Sequence, residues 1–475
     1  MGTMLRGVIL LILAGAIVFS SGCTCLFNPP HIDVPLVVRD SSGGALAIYE
    51  ILKGDDAREL YAQRISSGGS LQWGEKGVLI GCGYERESST FDWHMVSDGA
   101  GGAIIAWEAF PTKPDWDLPY EEWKVHRVTT ILRLDSQGNI LWRREVKPFY
   151  IMISDGSGGA IISYVDYSSE AKTLNALRID SRGDYPWGED GVSLFWGNYS
   201  SSLRMVGDGS GGTIIVQQDD RYLSDTRFQC FAQKVDSMGR LIWGEKGIPV
   251  YIPLESFEPV ELINDGSGGA ILARIMQIGG SFDIYVQRVD SSGKTLWQQD
   301  GKPLGLSKEE FRLQVQMIAD GQGGVVLIWD EGPSIYAQKI DTAGNAGWQS
   351  GGVQVYHQEI EEFLQSFYRD VASDDDGGAI VVWWYQGKTE ARHGALRAQR
   401  LSANGKALWQ ANGVLVSTGV KGHYTPATIS QDSFGGALVA WGIGRNRNHA
   451  EKSYVQKIDS GGNLLWGAKG IRLNP

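Results

Sequence analysis

The sequence predicts an all-β protein, a single eight-bladed β-propeller of four-stranded antiparallel blades preceded by a signal peptide. Two markers recur eight times along the 475 residues. The first is an Asp three residues before a Gly-Gly pair and an apolar run, and the pairs start at positions 43, 101, 158, 211, 268, 323, 377 and 435. The second is a Trp that follows each pair. The mean step between Gly pairs is 56 residues (392 over seven intervals), a period typical of propellers, in which neighbouring units complete each other's core.

Each repeat carries the signals of four short strands. The run after the Gly pair, such as Ala103–Ala106, is apolar at successive positions, which indicates a strand covered on both faces. The next strand alternates between apolar and polar residues, as in Tyr454–Ile458. Another short apolar stretch precedes each Gly pair, and one lies around the Trp. Four antiparallel strands joined by tight turns form a propeller blade.

Residues 1–22 are predicted to be a signal peptide with a lipobox-like end. Arg6 precedes the apolar run Val8–Phe19, which has the length of a signal-peptide core and is short for a membrane span. The run ends in Ser20-Ser21-Gly22-Cys23, which resembles a bacterial lipobox, although the family usually has an aliphatic residue where Ser20 stands. The resemblance implies lipidation of Cys23. Residues 23–33 are then a linker and 34–475 the propeller; cleavage at another small residue is the alternative.

These features predict an exported lipoprotein held by its lipid on the extracytoplasmic side, at the cell surface or in the periplasm. The net charge is −12 and basic residues are scattered, so the sequence offers no phosphate-binding stripe and nucleic acid is excluded. The four cysteines have no metal-like spacing. We therefore expect no cofactor, no metal site and a monomeric protein.

The second marker has the form Asp-x-x-Gly-x-x-x-Trp, intact in six repeats, with Ser66 and Ser402 replacing the Asp in the first and seventh. It resembles the tryptophan-docking repeat of quinoprotein-type propellers, which are also eight-bladed. The resemblance implies that the Trp side chains dock one blade on another. These residues are Trp73, Trp142, Trp187, Trp243, Trp297, Trp348, Trp409 and Trp466.

Two further residue types recur in every repeat and have structural explanations. The Asp before each Gly pair is predicted to cap its turn, and only Asp374–Asp376 merits a test for metal. A basic residue stands two positions before the Asp or Ser that opens the second marker, and its presence in all eight repeats indicates packing or ion pairing. The basic residues are Arg64, Arg133, Arg178, Lys234, Arg288, Lys339, Arg400 and Lys457.

Blade topology separates two faces of the ring. The first and third turns of each blade, which carry the recurring motifs, emerge on one face, here called the stereotyped face. The second turns and the links between blades emerge on the other, here called the irregular face, where variable loops favour binding. Aromatic side chains there can bind a ligand or simply pack their own loops. The candidates for binding are Trp116, Tyr120, Trp123, His126, Tyr222, Trp384, Tyr385, His393 and Arg445.

The sequence favours a non-catalytic scaffold that binds an exported protein or a glycan. A propeller lipoprotein of the outer-membrane β-barrel assembly machinery is similar in size, anchor and blade number, a likeness of fold alone. The alternative is an extracytoplasmic enzyme, either a quinone-dependent dehydrogenase or a polysaccharide-degrading hydrolase or lyase. Alcohol-dehydrogenase quinoproteins use an adjacent Cys pair, whereas Cys23 and Cys25 are separated and lie in the signal region. Asp117, Glu121 and Asp219 supply carboxylates without a recognisable arrangement.

Overall fold

The fold is all-β in the part of the chain that the computed structural model describes. Eight four-stranded antiparallel sheets follow one another in a ring, which confirms the predicted eight-bladed propeller. No helix in the described part could span a membrane. The described residues are 35–54, 57–84, 93–115, 117, 127–166, 173–196, 199–219, 228–254, 260–278, 281–298, 301–306, 315–332, 334–357, 368–385, 395–417, 423–424, 427–444 and 450–474.

The strands of each blade are consecutive in the chain. Blades 1 and 2 contain β1 (Leu36–Arg39), β2 (Ala45–Leu52), β3 (Ala57–Ile65), β4 (Val78–Tyr84), β5 (Trp93–Ser97), β6 (Ala103–Ala109), β7 (Val128–Leu134) and β8 (Ile140–Val146). Blades 3 and 4 contain β9 (Ile151–Ser154), β10 (Ala160–Asp166), β11 (Thr173–Ile179), β12 (Val192–Trp196), β13 (Tyr199–Gly207), β14 (Thr213–Asp219), β15 (Phe228–Val235) and β16 (Ile248–Leu254).

The second half of the ring repeats this arrangement. Blades 5 and 6 contain β17 (Glu261–Asn264), β18 (Ala270–Ile278), β19 (Ser281–Val289), β20 (Lys302–Pro303), β21 (Gln316–Ala319), β22 (Val325–Glu331), β23 (Ser334–Ile340) and β24 (Val353–His357). Blades 7 and 8 contain β25 (Tyr368–Ser373), β26 (Ala379–Tyr385), β27 (Ala395–Leu401), β28 (Val414–Ser417), β29 (His423–Tyr424), β30 (Thr428–Gln431), β31 (Ala437–Gly444), β32 (Lys452–Ile458) and β33 (Ile471–Arg472). The short β29 is an additional strand that pairs with β31.

The recurring Asp and the Gly pair form the first turn of each blade. In blade 1 the Asp40 Oδ1 atom accepts the backbone N–H groups of Ser42, at 2.9 Å, and of Gly44, at 2.6 Å. Gly43 has a φ of 78°, a conformation that glycine adopts without strain. A Cβ on Gly44 would lie 2.1 Å from the Ile65 carbonyl oxygen of β3. The motif therefore encodes the hairpin between the first two strands of each blade.

The hydrophobic core lies between the blades. Eight clusters of buried residues are each shared by two neighbouring blades, including the last and the first. At the seam of blades 8 and 1, Tyr49 and Ile65 lie in the same cluster as Leu438, Val455 and Trp466. The innermost strands of neighbouring blades also contact each other around the whole ring. Each blade therefore buries both faces of its sheet against its neighbours.

A second set of contacts fastens each blade to the next at the stereotyped face. The indole Nε1 of every recurring Trp donates to a carbonyl in the third turn of the following blade, at 2.8 to 3.3 Å. Trp466 donates to Ser67 in the first blade, at 3.1 Å, so this bond also spans the seam that joins the two ends of the chain. All four strands of blade 1 precede those of blade 2, and blade 8 contains the last five strands. Among the described strands, the ring thus closes without exchange between the first and last blades.

The recurring basic residue bridges its own blade and the next one. Each forms an ion pair with the turn Asp of its blade, as Arg133 does with Asp98 at 2.9 Å. Each also donates to a backbone carbonyl of the following blade, as Arg133 does to Ser181 at 2.7 Å. The structure therefore confirms the ion-pair role that was expected because a basic residue recurs in every repeat.

Candidate functional site

Most candidate binding residues from the sequence lie outside the described residues. These are Trp116, Tyr120, Trp123, His126, Tyr222, His393 and Arg445, and the lipidation candidate Cys23 lies outside as well. Tyr385 ends β26, and its side chain is not described. Trp384 was a candidate for ligand binding on the irregular face, but the structure places its side chain in the core. Its side chain is 5% exposed and belongs to the core between blades 7 and 8, because β26 is covered on both faces.

An acidic residue occupies the same strand position in three blades. It is the sixth residue of the second strand, near the irregular face: Glu50 in β2, Glu108 in β6 and Asp330 in β22. Each carboxylate forms an ion pair with an arginine. The set does not stand out in the sequence, because the other blades have neutral residues at this position. The signal that marks it is a common spacing of seven residues from the first glycine of each Gly pair.

Two of the three acids are closed off from solvent. The Arg58 Nη1 atom lies 3.1 Å from both carboxylate oxygens of Glu50, and both side chains are 2% exposed. Asp330 pairs with Arg369 of the next blade, and these side chains are 3% and 4% exposed. Burial raises the pKa of Asp330 to about 6, although the Arg369 guanidinium lowers it. These two pairs hold strands together and leave no carboxylate for a ligand.

The third acid, Glu108, remains open to solvent. Its Oε2 atom accepts Arg127 Nη1 at 2.9 Å and its Oε1 atom accepts the Thr129 hydroxyl at 3.2 Å. The Glu108 side chain is 16% exposed. It lines a recess with His94, Trp107, Thr129 and Phe149 at the seam of blades 2 and 3. We call this feature the blade 2 recess.

The blade 2 recess is small and has one aromatic wall. The rings of His94 and Phe149 have centroids 5.0 Å apart and are tilted by 47°, and both side chains are half-buried. The volume is about 10 Å³, which is the space of one water-sized group. The recess therefore fits a single hydroxyl or amine of a larger molecule lying over the face.

Blade 2 also departs most from the repeat. In the other seven blades the outer strand begins five residues after the recurring Trp, whereas Trp142 lies inside β8. Arg143 of β8 donates to the Ile80 carbonyl of blade 1 at 2.6 Å, and its guanidinium lies 5.7 Å from the ring centre of Trp107. The segment between β6 and β7, residues 110–127, is longer than the segment between the second and third strands of any other blade. The recess thus lies in the blade where the symmetry of the ring is broken.

Polar side chains also bridge the inner strands near the central opening of the irregular face. Arg204 of blade 4 pairs with Glu261 of blade 5 at 3.0 Å. Asp370 of β25 accepts the backbone N–H of Ile429 in blade 8 at 3.0 Å and that of Val371 at 2.9 Å. Burial raises the pKa of Asp370 to about 6. Arg204, Glu261 and Asp370 each lie four positions before the turn Asp of their blade. No one residue type recurs at that position, so the sequence pattern does not mark them.

The Asp374–Asp376 loop, singled out for a metal test, uses two of its carboxylates for ion pairs. Arg400 contacts Asp374 through Nε at 3.0 Å and Asp376 through Nη2 at 2.7 Å. Asp375 has a φ of 62°, and burial raises its pKa. Among the described residues, no group of three or more His, Cys, Asp or Glu side chains could hold a metal ion.

Comparisons with known proteins identify similar folds. No protein-family model matches the chain, and no curated protein matches it. Prolyl oligopeptidase B from Galerina marginata aligns with a TM-score of 0.45 and 10% identity, over 87% of this chain and 56% of that one. An ulvan lyase, a polysaccharide lyase, aligns with a TM-score of 0.45 and 10% identity, over 92% of this chain and 96% of that one. The propeller domain of the Trilobed protease from Pyrococcus furiosus aligns with a TM-score of 0.39 and 10% identity, over 77% of this chain and 97% of that one.

These similarities concern the fold. The chain spans 56% of the prolyl oligopeptidase that it matches. At identities near 10%, no site residue of these proteins can be assigned to a position in this chain. They do correct one expectation. The sequence favoured a protein that is not an enzyme. The comparisons contradict that prediction, because the similar propellers belong to a prolyl oligopeptidase, a protease and a polysaccharide lyase.

Proposed function

We propose that this propeller binds a carbohydrate chain across its irregular face, with one sugar hydroxyl seated in the blade 2 recess. The observation that carries the proposal is the contrast among the three equivalent acids. Glu50 and Asp330 are enclosed by their arginines, whereas Glu108 remains 16% exposed beside the half-buried rings of His94 and Phe149. A carboxylate held open next to aromatic rings supplies both kinds of contact that a sugar uses.

The electrostatics of the recess favour a neutral hydroxyl over a cation. Arg127 neutralises Glu108 at 2.9 Å, so an incoming cation would compete with a guanidinium already in place. A carboxylate has about four acceptor positions, and Arg127 and Thr129 occupy two of them in the hydrogen bonds described above. A hydroxyl donor can therefore bind without displacing either partner.

The surrounding chain suits an extended ligand. A recess of about 10 Å³ accepts one hydroxyl, so further contacts must come from the surface above it. The sequence candidates Trp116, Tyr120 and Trp123 belong to the segment that joins β6 to β7, the strands that carry Glu108 and Thr129. We propose that aromatic side chains of that segment supply the further contacts to the sugar.

We also propose that binding takes place outside the cytoplasm, on a protein anchored by a lipid at Cys23. The support is the sequence: Arg6, the apolar run Val8–Phe19 and the lipobox-like ending before Cys23. Intact-mass measurement of the N-terminal peptide from membranes tests this part. A free thiol at residue 23, or cleavage elsewhere, would contradict it.

The test of binding is a glycan array followed by titration of each hit with wild-type and Glu108→Gln proteins. The substitution keeps the shape of the side chain and removes its charge. We expect a loss of affinity of roughly tenfold or more, since a hydrogen bond to a charged group contributes about 1.5–3 kcal/mol. Glu59→Gln is the matched control, because Glu59 is a half-buried acid paired with Lys53 on the same face. Equal affinity of the Glu108 variant, or capture of a protein with no glycan binding, would contradict the proposal.

Polysaccharide cleavage at the same recess is a second candidate. His94 and Glu108 line one recess, and imidazole and carboxylate are the usual side chains for proton transfer in catalysis. Incubation of each bound glycan with the protein, followed by measurement of new reducing ends and unsaturated products, tests it. His94→Gln should abolish product formation while glycan binding persists. No product from any bound glycan would leave binding as the function of the recess.

A further inference from the structure

The chain enters the propeller on the irregular face, near the axis. The first strand β1 runs toward the Asp40 turn on the stereotyped face, so its start at Leu36 lies on the opposite side. The preceding Pro35 is buried, and its carbonyl accepts the Thr428 hydroxyl of β30 at 2.9 Å. Because β1 and β30 are both innermost strands, this bond fixes the entry point at the mouth of the central opening.

From this geometry we infer that the lipid anchor proposed at Cys23 holds the irregular face, with its blade 2 recess, toward the membrane surface. The inference rests on the anchor in the proposed function and is independent of which ligand the recess takes. Twelve residues, 23–34, separate the anchor from Pro35. Fully extended, they span at most about 40 Å.

The opposite orientation requires nearly the whole of that length. To place the stereotyped face against the membrane by a path around the outside of the ring, the linker passes outward over three strand spacings, about 14 Å, and then along the height of a seven-residue strand, about 23 Å. That path of about 37 Å would hold the linker almost straight along the side of the propeller. Straightening twelve residues costs conformational entropy that the inferred orientation does not require. The irregular face therefore lies on the membrane side.

This orientation limits where a ligand of the blade 2 recess can lie. A ligand that reaches the blade 2 recess must lie between the propeller and the bilayer, within about 40 Å of the lipid surface. The carbohydrate that fits this position is one displayed on the same membrane or on a layer directly above it. The stereotyped face, with its eight recurring turns, is turned away from the membrane.

The test uses full-length lipidated protein in vesicles whose headgroups carry a nitroxide quencher. Cys25→Ser and Cys82→Ser remove the cysteines other than the buried Cys230 and the anchor. A fluorophore is then attached at Leu52→Cys or Ser267→Cys. Both positions are exposed. Leu52 is the last residue of β2, at the irregular face, and Ser267 lies in the turn before β18, at the stereotyped face. We expect several-fold stronger quenching at position 52 than at position 267.

Equal quenching at the two positions, or stronger quenching at 267, would overturn the inference. The same labelled proteins with Cys23→Ala are the control and should show no quenching at either position. If mass measurement finds no lipid on Cys23, the orientation inference fails, while glycan binding by the soluble propeller is unaffected. A protein that is oriented as inferred but binds no glycan would refute only the carbohydrate proposal.

Discussion

Asp370 should make the propeller less stable as the pH rises from about 4 to about 7. Its carboxyl is buried between blades 7 and 8, and the partners described for it are the backbone N–H groups of Val371 and Ile429, with no basic side chain. Burial raises its pKa from 3.8 to about 6. The folded protein therefore binds this proton more tightly than the unfolded chain does.

The sign and size follow from proton linkage. The stabilisation is complete below the unfolded pKa of 3.8, falls as the pH rises toward about 6 and is lost above that value. A pKa rise of this size corresponds to about 3 kcal/mol, at about 1.4 kcal/mol for each pKa unit. Asn at position 370 does not titrate, so Asp370→Asn removes this contribution at every pH.

The assay compares the free energy of unfolding of wild-type and Asp370→Asn proteins by urea denaturation at several pH values. Subtracting the two proteins cancels other titrating groups, among them Asp330, whose pKa burial also raises to about 6. We expect the difference to move in favour of the Asn variant by about 2.4 kcal/mol between pH 4 and pH 7.5, less than the full value because the unfolded carboxyl is already more than half ionised at pH 4. A difference that does not change with pH would refute the burial argument.

Two further predictions concern stability and are read from the same denaturation curves. Gly44→Ala should prevent folding or cost several kcal/mol, because its Cβ would lie 2.1 Å from the Ile65 carbonyl, whereas Gly74→Ala should cost only about 1 kcal/mol, since no atom lies within 4 Å of its Cβ. Equal effects would contradict the steric explanation. Arg58→Met should cost about 3–5 kcal/mol because it removes the guanidinium that forms an ion pair with the buried Glu50 carboxylate; a change below about 1 kcal/mol would show that this ion pair contributes little to stability.

The sequence was most informative where one residue type recurs for one physical reason. The Gly pair predicted the first hairpin because only glycine fits beside the facing carbonyl, as Gly44 does. The Asp before it predicted the turn because its carboxylate caps two N–H groups. Repetition of these residues gave the number of blades and the antiparallel order of the strands. Local rules of this kind need no knowledge of distant contacts.

The candidate site depended on contacts that no recurring residue encodes. Glu50 and Glu108 occupy equivalent positions, yet only the surroundings of Glu108 leave it open. Those surroundings include Phe149 from the link to the next blade, which sequence spacing does not place beside it. Trp384 shows the converse error: an aromatic pair near a loop suggested exposure, although the apolar run of β26 already indicated a strand covered on both faces.

The closure of the ring without strand exchange gives the polypeptide no preferred starting blade. The first described strand begins and the last one ends on the irregular face, where the outer strand of each blade also ends and the inner strand of the next begins. The seam between blades 8 and 1 is joined by the same Trp-to-turn bond as the other seven. A chain opened at another link, with residues 474 and 35 connected, would make the same contacts in a different order. The fold thus constrains which blades are neighbours and leaves open where translation begins.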